Sequence, residues 1–361
     1  MITPSGNSNV LSRAYVSSLF PQLVRLIGLA LLLTGLAATA RPGHSAPVAF
    51  ELSSLNGPNG FRLDGRAAGD AAGSALSSLG DMNGDGLDDF AIGAPTADPA
   101  GKQGAGEVYV LFGRLTNPGG LPLTSLTGDD GLHLTGVTFN DEAGAALGGG
   151  DVNGDGFADL IIGAPGADPN DIAEAGSAYV VFGAADLPAA LSLQSLNGAN
   201  GFRLDGLAEN DRAGSSVGLA GDVNGDGYGD VIIGAPDASP GAKENIGQAY
   251  VVFGRPDFPP VFDLTGLNGD NGFVIDGVAA DSFAGHFVGA AGDVNGDGYD
   301  DTLVAAWKYT TRSLESGTVF VLYGRADFAV KIDLKSLSAA NGLRIEGIET
   351  GDGAGQSAAA G

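Results

Sequence analysis

Short apolar runs, separated by clusters of Gly, Asp, Asn and Pro, make up most of the chain from about residue 50 onward. Four strands are predicted in the first complete set of runs: Ser74–Leu79, Phe90–Ala94, Glu107–Phe112, and Phe61–Asp64 with its later copies. No window has the 3.6-residue apolar period of an amphipathic helix. The pattern therefore predicts an all-β protein built from short strands.

The same pattern recurs at a fixed interval. GDMNGDGLDDFAIGAP begins at Gly80, and near copies begin at Gly150, Gly221 and Gly292, so the interval is 70 or 71 residues. A period this long indicates stacked units, and four strands per unit is typical of a β-propeller blade. The first strand of each unit is rich in Gly, Ala and Ser, which suits a crowded position near a central axis.

The register of the copies predicts the domain organisation. We expect an opening outer strand within residues 41–65, which would complete the final blade of a closed ring. The predicted repeats and the start of a fifth repeat are residues 66–136, 137–206, 207–277, 278–347 and 348–361. The fifth copy would place its next loop at residue 362 or 363, so we expect the 361 residues to be a fragment of a longer protein.

The N-terminal 40 residues differ from the repeats. Leu26–Leu36 is a short apolar run behind Arg13 and Arg25, and Ala38-Thr39-Ala40 follows it as a small-residue cleavage site. This order predicts a signal peptide over residues 1–40, with an uncleaved anchor as the alternative. The expected location is therefore secreted, extracellular or at the cell surface, with no transmembrane span in the mature chain.

The amino-acid composition excludes several classes of partner and structure. Acidic residues outnumber basic ones 43 to 17, for a net charge of −26, and there is no Cys. This charge argues against nucleic acid as a partner because its phosphates would be repelled, and the absence of Cys excludes a disulfide framework. Of the 361 residues, 62 are Gly, which fits many tight turns.

Each repeat carries the acidic loop D-x-N-x-D-G-x-x-D, which we number loops 1 to 4 and positions 1 to 9. Side-chain oxygens at positions 1, 3, 5 and 9, with a backbone carbonyl at position 7, are the donors that Ca²⁺ prefers. The candidate metal ligands are Asp81, Asn83, Asp85, Leu87 and Asp89 in loop 1; Asp151, Asn153, Asp155, Phe157 and Asp159 in loop 2; Asp222, Asn224, Asp226, Tyr228 and Asp230 in loop 3; and Asp293, Asn295, Asp297, Tyr299 and Asp301 in loop 4.

These loops are not EF-hands. An EF-hand needs Glu at position 12, where this chain has Ile92, Ile162, Ile233 and Val304. Ordinary turn chemistry is the alternative explanation of D-N-G-D-G. Retention of every ligand position in all four copies favours four Ca²⁺ sites with a structural role.

The combined motifs resemble the FG-GAP repeat of integrin alpha chains and of bacterial integrin-alpha-like proteins. Gly-Ala-Pro stands at residues 93–95, 163–165 and 234–236, whereas the fourth copy has Ala305-Ala306-Trp307. The Phe-Gly element is matched loosely, as in Ala72-Gly73 and Phe283-Ala284-Gly285. The resemblance implies a seven-bladed propeller with calcium in its inter-strand loops, usually serving adhesion or ligand recognition.

No residue set indicates catalysis, so we expect no enzyme activity. His44 follows the predicted signal peptide, His133 is at a variable position expected to be solvated, and His286 has no visible catalytic partner. Trp307 and Tyr309 interrupt the repeat and would be either a contact site or, as we favour, local packing.

The sequence thus predicts a secreted calcium-binding propeller that recognises an extracellular protein or glycan. Its variable loops follow Gly-Ala-Pro and are the expected contact face: residues 96–105, 166–175, 237–246 and 308–316. Two alternatives stay open. One is the accessory propeller of a larger exported enzyme, such as a lyase or phospholipase, and the other is a structural surface-layer component.

Overall fold

The computed structural model describes residues 52–116, 119–242, 244–309 and 316–357. By its internal contacts the chain divides into two units, residues 1–54 and 55–361. In the first unit the described residues form one 3-10 turn, Leu52–Ser54. The predicted signal peptide and His44 lie outside the described residues. All strands given below belong to the second unit.

Strands dominate the second unit, and its described helices are 3-10 turns of three residues. The strands are β1 Arg62–Asp64, β2 Ala75–Gly80, β3 Asp89–Ala94, β4 Glu107–Leu111, β5 Gly120–Pro122, β6 Gly131–Thr135, β7 Ala146–Gly150, β8 Asp159–Ala164, β9 Ser177–Val181, β10 Ala190–Ser192, β11 Gly201–Asp205, β12 Ser216–Gly221, β13 Asp230–Ala235, β14 Gln248–Val252, β15 Val261–Phe262, β16 Gly272–Asp276, β17 Ala284–Gly292, β18 Asp301–Ala306, β19 Thr318–Leu322, β20 Lys331–Asp333 and β21 Gly342–Glu346. The 3-10 turns are Pro99–Gly101, Leu123–Ser125, Pro169–Asp171, Leu193–Ser195, Pro240–Ala242, Leu264–Gly266 and Leu334–Ser336.

Four antiparallel meanders recur along the chain, and we call them blades 1 to 4. Their strand orders are β2-β3-β4-β6, β7-β8-β9-β11, β12-β13-β14-β16 and β17-β18-β19-β21. Register is equivalent in successive blades: Ile92 pairs with Tyr109, and Ile162 with Tyr179. The predicted all-β architecture of four-stranded propeller blades is confirmed.

A fifth, short strand joins neighbouring blades. β10 arises between the third and fourth strands of blade 2 but pairs in parallel with β6 of blade 1, Ala190 opposite His133. β15 and β20 repeat this arrangement against β11 and β16. β5 pairs in the same way with β1, so the opening strand is held by the first blade. The sequence analysis did not predict these strands, although each precedes a recurring Leu-containing 3-10 turn.

The hydrophobic core lies between blades. Leu132 and Leu134 of blade 1 pack in one cluster with Leu160 and Ile162 of blade 2, while the intervening Ile161 belongs to the next cluster. Both faces of each middle strand are therefore buried. This explains why the second and third strands are continuous apolar runs without polar alternation.

Small residues let the first strands of neighbouring blades approach closely. A methyl group added at Gly148 of β7 would lie 2.7 Å from the Cα atom of Gly218 in β12. One added at Gly149 would lie 2.7 Å from the Cα atom of Leu79 in β2. The predicted crowding of the first strand is confirmed, and its cause is backbone-to-backbone contact between blades.

Candidate metal centres

The four acidic loops occupy equivalent places, since each joins the first and second strands of its blade. Loop 1 connects β2 to β3, and loops 2, 3 and 4 connect β7 to β8, β12 to β13 and β17 to β18. Position 9 of every loop is the first residue of the second strand. The sequence motif therefore marks one recurring β-hairpin connection.

Within each loop the position 1 carboxylate binds backbone amides. In loop 1, Gly84 N donates to Asp81 Oδ1 at 2.7 Å and Gly86 N donates to Asp81 Oδ2 at 2.8 Å. Loops 2, 3 and 4 repeat both bonds at 2.7 Å and 2.9 Å. Asp85 N also donates to Asn83 Oδ1 at 3.0 Å. The loop is thus curled around its own side-chain oxygens.

The position 9 Asp is buried and joins the loop to the backbone just after the third strand of its blade. In loop 2, Val152 N donates to Asp159 Oδ2 at 2.8 Å and Gly183 N donates to Asp159 Oδ1 at 2.9 Å. Its equivalents accept the same pair of bonds in the other loops. Sequence reasoning gave this residue only as a metal ligand and missed its part in joining the loop to the segment after the third strand.

Burial removes the position 9 carboxylates from water and makes their charged form less favourable. Burial, together with the carboxylates at positions 5 and 1 of the same loop, raises the pKa of Asp159 to about 7 and that of Asp230 to about 8. The two backbone N–H bonds oppose the shift without cancelling it. A cation close to these oxygens would therefore stabilise the charged form.

The donor chemistry fits a hard cation. Every predicted ligand is an oxygen, which is the set that Ca²⁺ prefers over transition metals. Across the described residues no three Asp, Glu or His side chains converge closely enough to hold a metal by themselves. An ion in a loop would need the Asn oxygen and the position 7 carbonyl in addition to the carboxylates, as the sequence predicts.

The remaining candidate residues pack locally. His133 is only 21% exposed, stacks on Tyr109 with ring centroids 4.8 Å apart, and places Nε2 3.3 Å from Glu107 Oε2. The expectation that it is solvated was wrong, because Glu107 and Tyr109 on the adjacent β4 cover it. Burial alone would raise the pKa of Glu107, but the adjacent His133 and the hydrogen bond that Tyr109 donates lower it.

The aromatic residues of the fourth repeat form two separate contacts. The ring of Tyr309 lies 6.2 Å from that of Phe320 and packs against the core between blades. Trp307 lies 5.3 Å from His286, and the ammonium group of Lys308 lies 4.8 Å from the indole. Both residues thus have local packing partners, as the favoured interpretation expected.

The two glycine elements of the repeat meet between blades. A methyl group added at Gly163, in the Gly-Ala-Pro of blade 2, would lie 2.0 Å from the carbonyl oxygen of Gly214 at the start of blade 3. Gly93 and Gly234 approach Gly144 and Gly285 in the same way, at 2.0 Å and 1.9 Å. Any side chain at these positions would force neighbouring blades apart.

A family model described as FG-GAP repeat matches residues 72–111, 143–181 and 213–252. The chain contains three FG-GAP repeats. Each matched stretch begins just before the first strand of a blade and ends in its third strand, so it includes the acidic loop and the Gly-Ala-Pro element. The fourth copy, with Ala305-Ala306-Trp307, lies outside the matched residues, yet it folds as an equivalent blade.

Named proteins with similar sequences fall into two groups. Integrin alpha-5 of Xenopus laevis is 27% identical over 247 residues, and integrin alpha-V of Gallus gallus is 29% identical over 247; each match covers 66% of this chain. Phosphatidylinositol-glycan-specific phospholipase D of Bos taurus is 33% identical over 180 residues, 48% of this chain. The matches span about a fifth of these relatives, 20%, 20% and 19% of their lengths. The FG-GAP repeats are thus integrin-alpha-like.

The described helices are single 3-10 turns of three residues, and none of them has the length or the apolar character to span a bilayer.

Proposed function

We propose that this chain is an exported, calcium-stabilised FG-GAP propeller that binds an extracellular protein or glycan in adhesion or recognition. The observation that carries the proposal is the fourfold acidic loop: one hydrogen-bonded conformation, the same oxygen donors, and a buried carboxylate that interacts electrostatically with two others in each copy. Similarity to integrin alpha chains supports the binding role.

Calcium would act here as a structural ion. Each loop contributes three carboxylates from positions 1, 5 and 9, so without a cation like charges crowd one hairpin connection. The position 9 carboxylate also joins the start of the second strand to the segment after the third, so an ion that stabilises its charged form would stabilise the blade. We expect dissociation constants on the order of 10⁻⁴ to 10⁻³ M, as for extracellular calcium modules.

Thermal unfolding in excess calcium and in chelator tests the metal. At a hundredfold excess over the dissociation constant, one bound ion adds about 2.7 kcal/mol, so Tm should rise by several degrees. Asp85→Ala should lower the calcium-dependent increment. Asp88→Ala removes a neighbouring exposed carboxylate outside the ligand set and should retain it. Equal Tm values with calcium and with chelator would refute the metal proposal.

Ligand contact is proposed on the loops that follow the second strand. Two polar clefts lie there: one of about 280 Å³ is lined by Thr96, Asp98 and Gln103, and one of about 250 Å³ by Asp168 and Glu174. Their polar lining suits hydroxyl, amide or cationic groups of a ligand. Screening against matrix proteins and a glycan array, with and without chelator, tests this role, and a structural surface-layer component would bind nothing specifically.

A second candidate is the accessory propeller of a larger exported enzyme. The specific observation for it is the 33% identity to phosphatidylinositol-glycan-specific phospholipase D over 180 residues. We propose no catalytic role for the 361 residues themselves in either case. Sequencing the flanking genomic DNA separates the two candidates: a catalytic domain in the same reading frame would favour the accessory role.

A further inference from the structure

Neighbouring acidic loops touch each other through the side chain at position 7. The half-buried rings of Phe157, Tyr228 and Tyr299 each lie on the position 4 glycine of the preceding loop. A methyl group added at that glycine would lie 2.5 Å, 2.5 Å and 2.6 Å from the ring at Gly84, Gly154 and Gly225, respectively. No contact of this kind is needed to close a hairpin within one blade.

Backbone hydrogen bonds tie the same loops together. The position 8 amide of each loop donates to the position 1 carbonyl of the preceding loop: Ala158 N to Asp81 O at 2.9 Å, Gly229 N to Asp151 O at 3.1 Å, and Asp300 N to Asp222 O at 3.1 Å. The contact therefore reaches the residue whose carboxylate organises the preceding loop.

In the part of the chain that the structure describes, loop 4 lacks the cover that loops 1 to 3 receive. Among the described residues nothing lies within 4 Å of a methyl group built at Gly296, the position 4 glycine of that loop. Val294 at position 2 is 52% exposed, whereas its equivalents Met82 and Val152 are fully buried. The cover over a loop therefore comes from the following blade and not from the loop itself.

We propose that Phe157, Tyr228 and Tyr299 are positioning residues that couple calcium binding between neighbouring loops. The inference rests on the proposed calcium function. Each of these residues would offer its backbone carbonyl to the ion of its own loop while its side chain covers the loop before it. An ion that orders position 7 thereby also fixes the cover of the preceding site.

The coupling has two physical sources. Ordering one loop in advance reduces the conformational entropy that the neighbouring loop loses when it binds an ion. The ring also keeps water away from one side of the preceding loop, which strengthens the attraction between an ion and its carboxylates. By linkage the effect is reciprocal, so an ion in the preceding loop favours binding in the following one equally.

Calcium titration of a two-loop protein tests the coupling. Asp81→Ala and Asp293→Ala would disable loops 1 and 4 in the full chain, leaving loops 2 and 3 with Tyr228 between them. By calorimetry we expect two ions to bind. An ion in one loop should raise the calcium affinity of the other loop by about 5- to 10-fold, near the lower end of measured couplings. Circular dichroism would establish that each variant is folded.

Variants at position 7 test whether the aromatic ring itself is responsible for the coupling. Tyr228→Ala should abolish the coupling, and Tyr228→Phe, which keeps the ring, should retain it. Tyr299→Ala is the matched control, since it removes the same ring from a pair of loops that does not include loop 2, and should leave coupling between loops 2 and 3 intact.

Two outcomes count against the proposal and are distinguishable. If two ions bind independently with and without the Tyr228 ring, coupling is overturned while the calcium function stands. If the folded two-loop protein and the unmodified chain both bind no calcium, the calcium function itself is overturned.

Discussion

Alanine substitution at the position 4 glycines can distinguish two costs, the clash with a neighbouring loop and the backbone strain within the loop itself. Gly154 and Gly296 both stand at position 4, with φ of +74° and +77°, so alanine at either position is forced into the left-handed region at a cost of about 1–2 kcal/mol. Only Gly154 has a neighbour, because the added methyl group would lie 2.5 Å and 2.7 Å from two ring carbons of Tyr228. Accommodating it should cost about 1–3 kcal/mol more.

Urea unfolding at fixed free calcium, followed by circular dichroism, measures the difference between Gly154→Ala and Gly296→Ala. We expect Gly154→Ala to be the more destabilising by about 1–3 kcal/mol. In the Gly154→Ala, Tyr228→Ala double variant the extra cost should disappear, since the ring that clashes is gone. Equal destabilisation by the two alanine substitutions would refute the contact between loops.

Three further predictions concern the blades. Gly163→Ala should destabilise the protein by about 3 kcal/mol in urea unfolding, because the methyl group meets the backbone carbonyl of Gly214, which cannot move aside; a loss under 1 kcal/mol would contradict it. Asp159→Ala leaves two buried N–H groups unpaired and should cost about 2–6 kcal/mol in chelator, whereas a neutral result would mean that they find other partners. Burial lowers the pKa of His286, so the unfolded state takes up the imidazole proton first and the contribution of His286 to stability falls as pH drops below about 6.5; the Tm of His286→Gln relative to the unmodified chain should therefore rise between pH 7.5 and 5.5, and an unchanged difference would exclude this role.

The strands and their order could be predicted closely from the sequence. The prediction of Glu107–Phe112 became β4, Glu107–Leu111, and Ser74–Leu79 became β2, Ala75–Gly80. Gly, Asp and Pro mark each boundary, and four copies of one pattern show the same register. The loop residues were found for the same reason, since the spacing of their oxygens repeats without exception.

Contacts between blades could not be predicted in this way. β10 is only three residues long and pairs in parallel with a strand nearly 60 residues earlier, so no local periodicity marks it. His133 aligns with exposed-looking arginines in other copies, yet Tyr109 and Glu107 cover it. Its cover depends on the adjacent strand, where Tyr109 recurs as Tyr179 and Tyr250 but Glu107 is replaced by Ser177, Gln248 and Thr318.

The sequence by itself determined the repeat, the four-stranded unit, and the oxygen donors of each acidic loop, because these depend on residues close together in the chain. Only the tertiary structure decided which of those residues are buried and which contact one another. It placed the position 9 carboxylates in the core, the glycines of successive blades in contact, and the position 7 rings over preceding loops. These relations join residues from 24 to 74 positions apart, and close packing, which a one-dimensional pattern does not record, sets their distances.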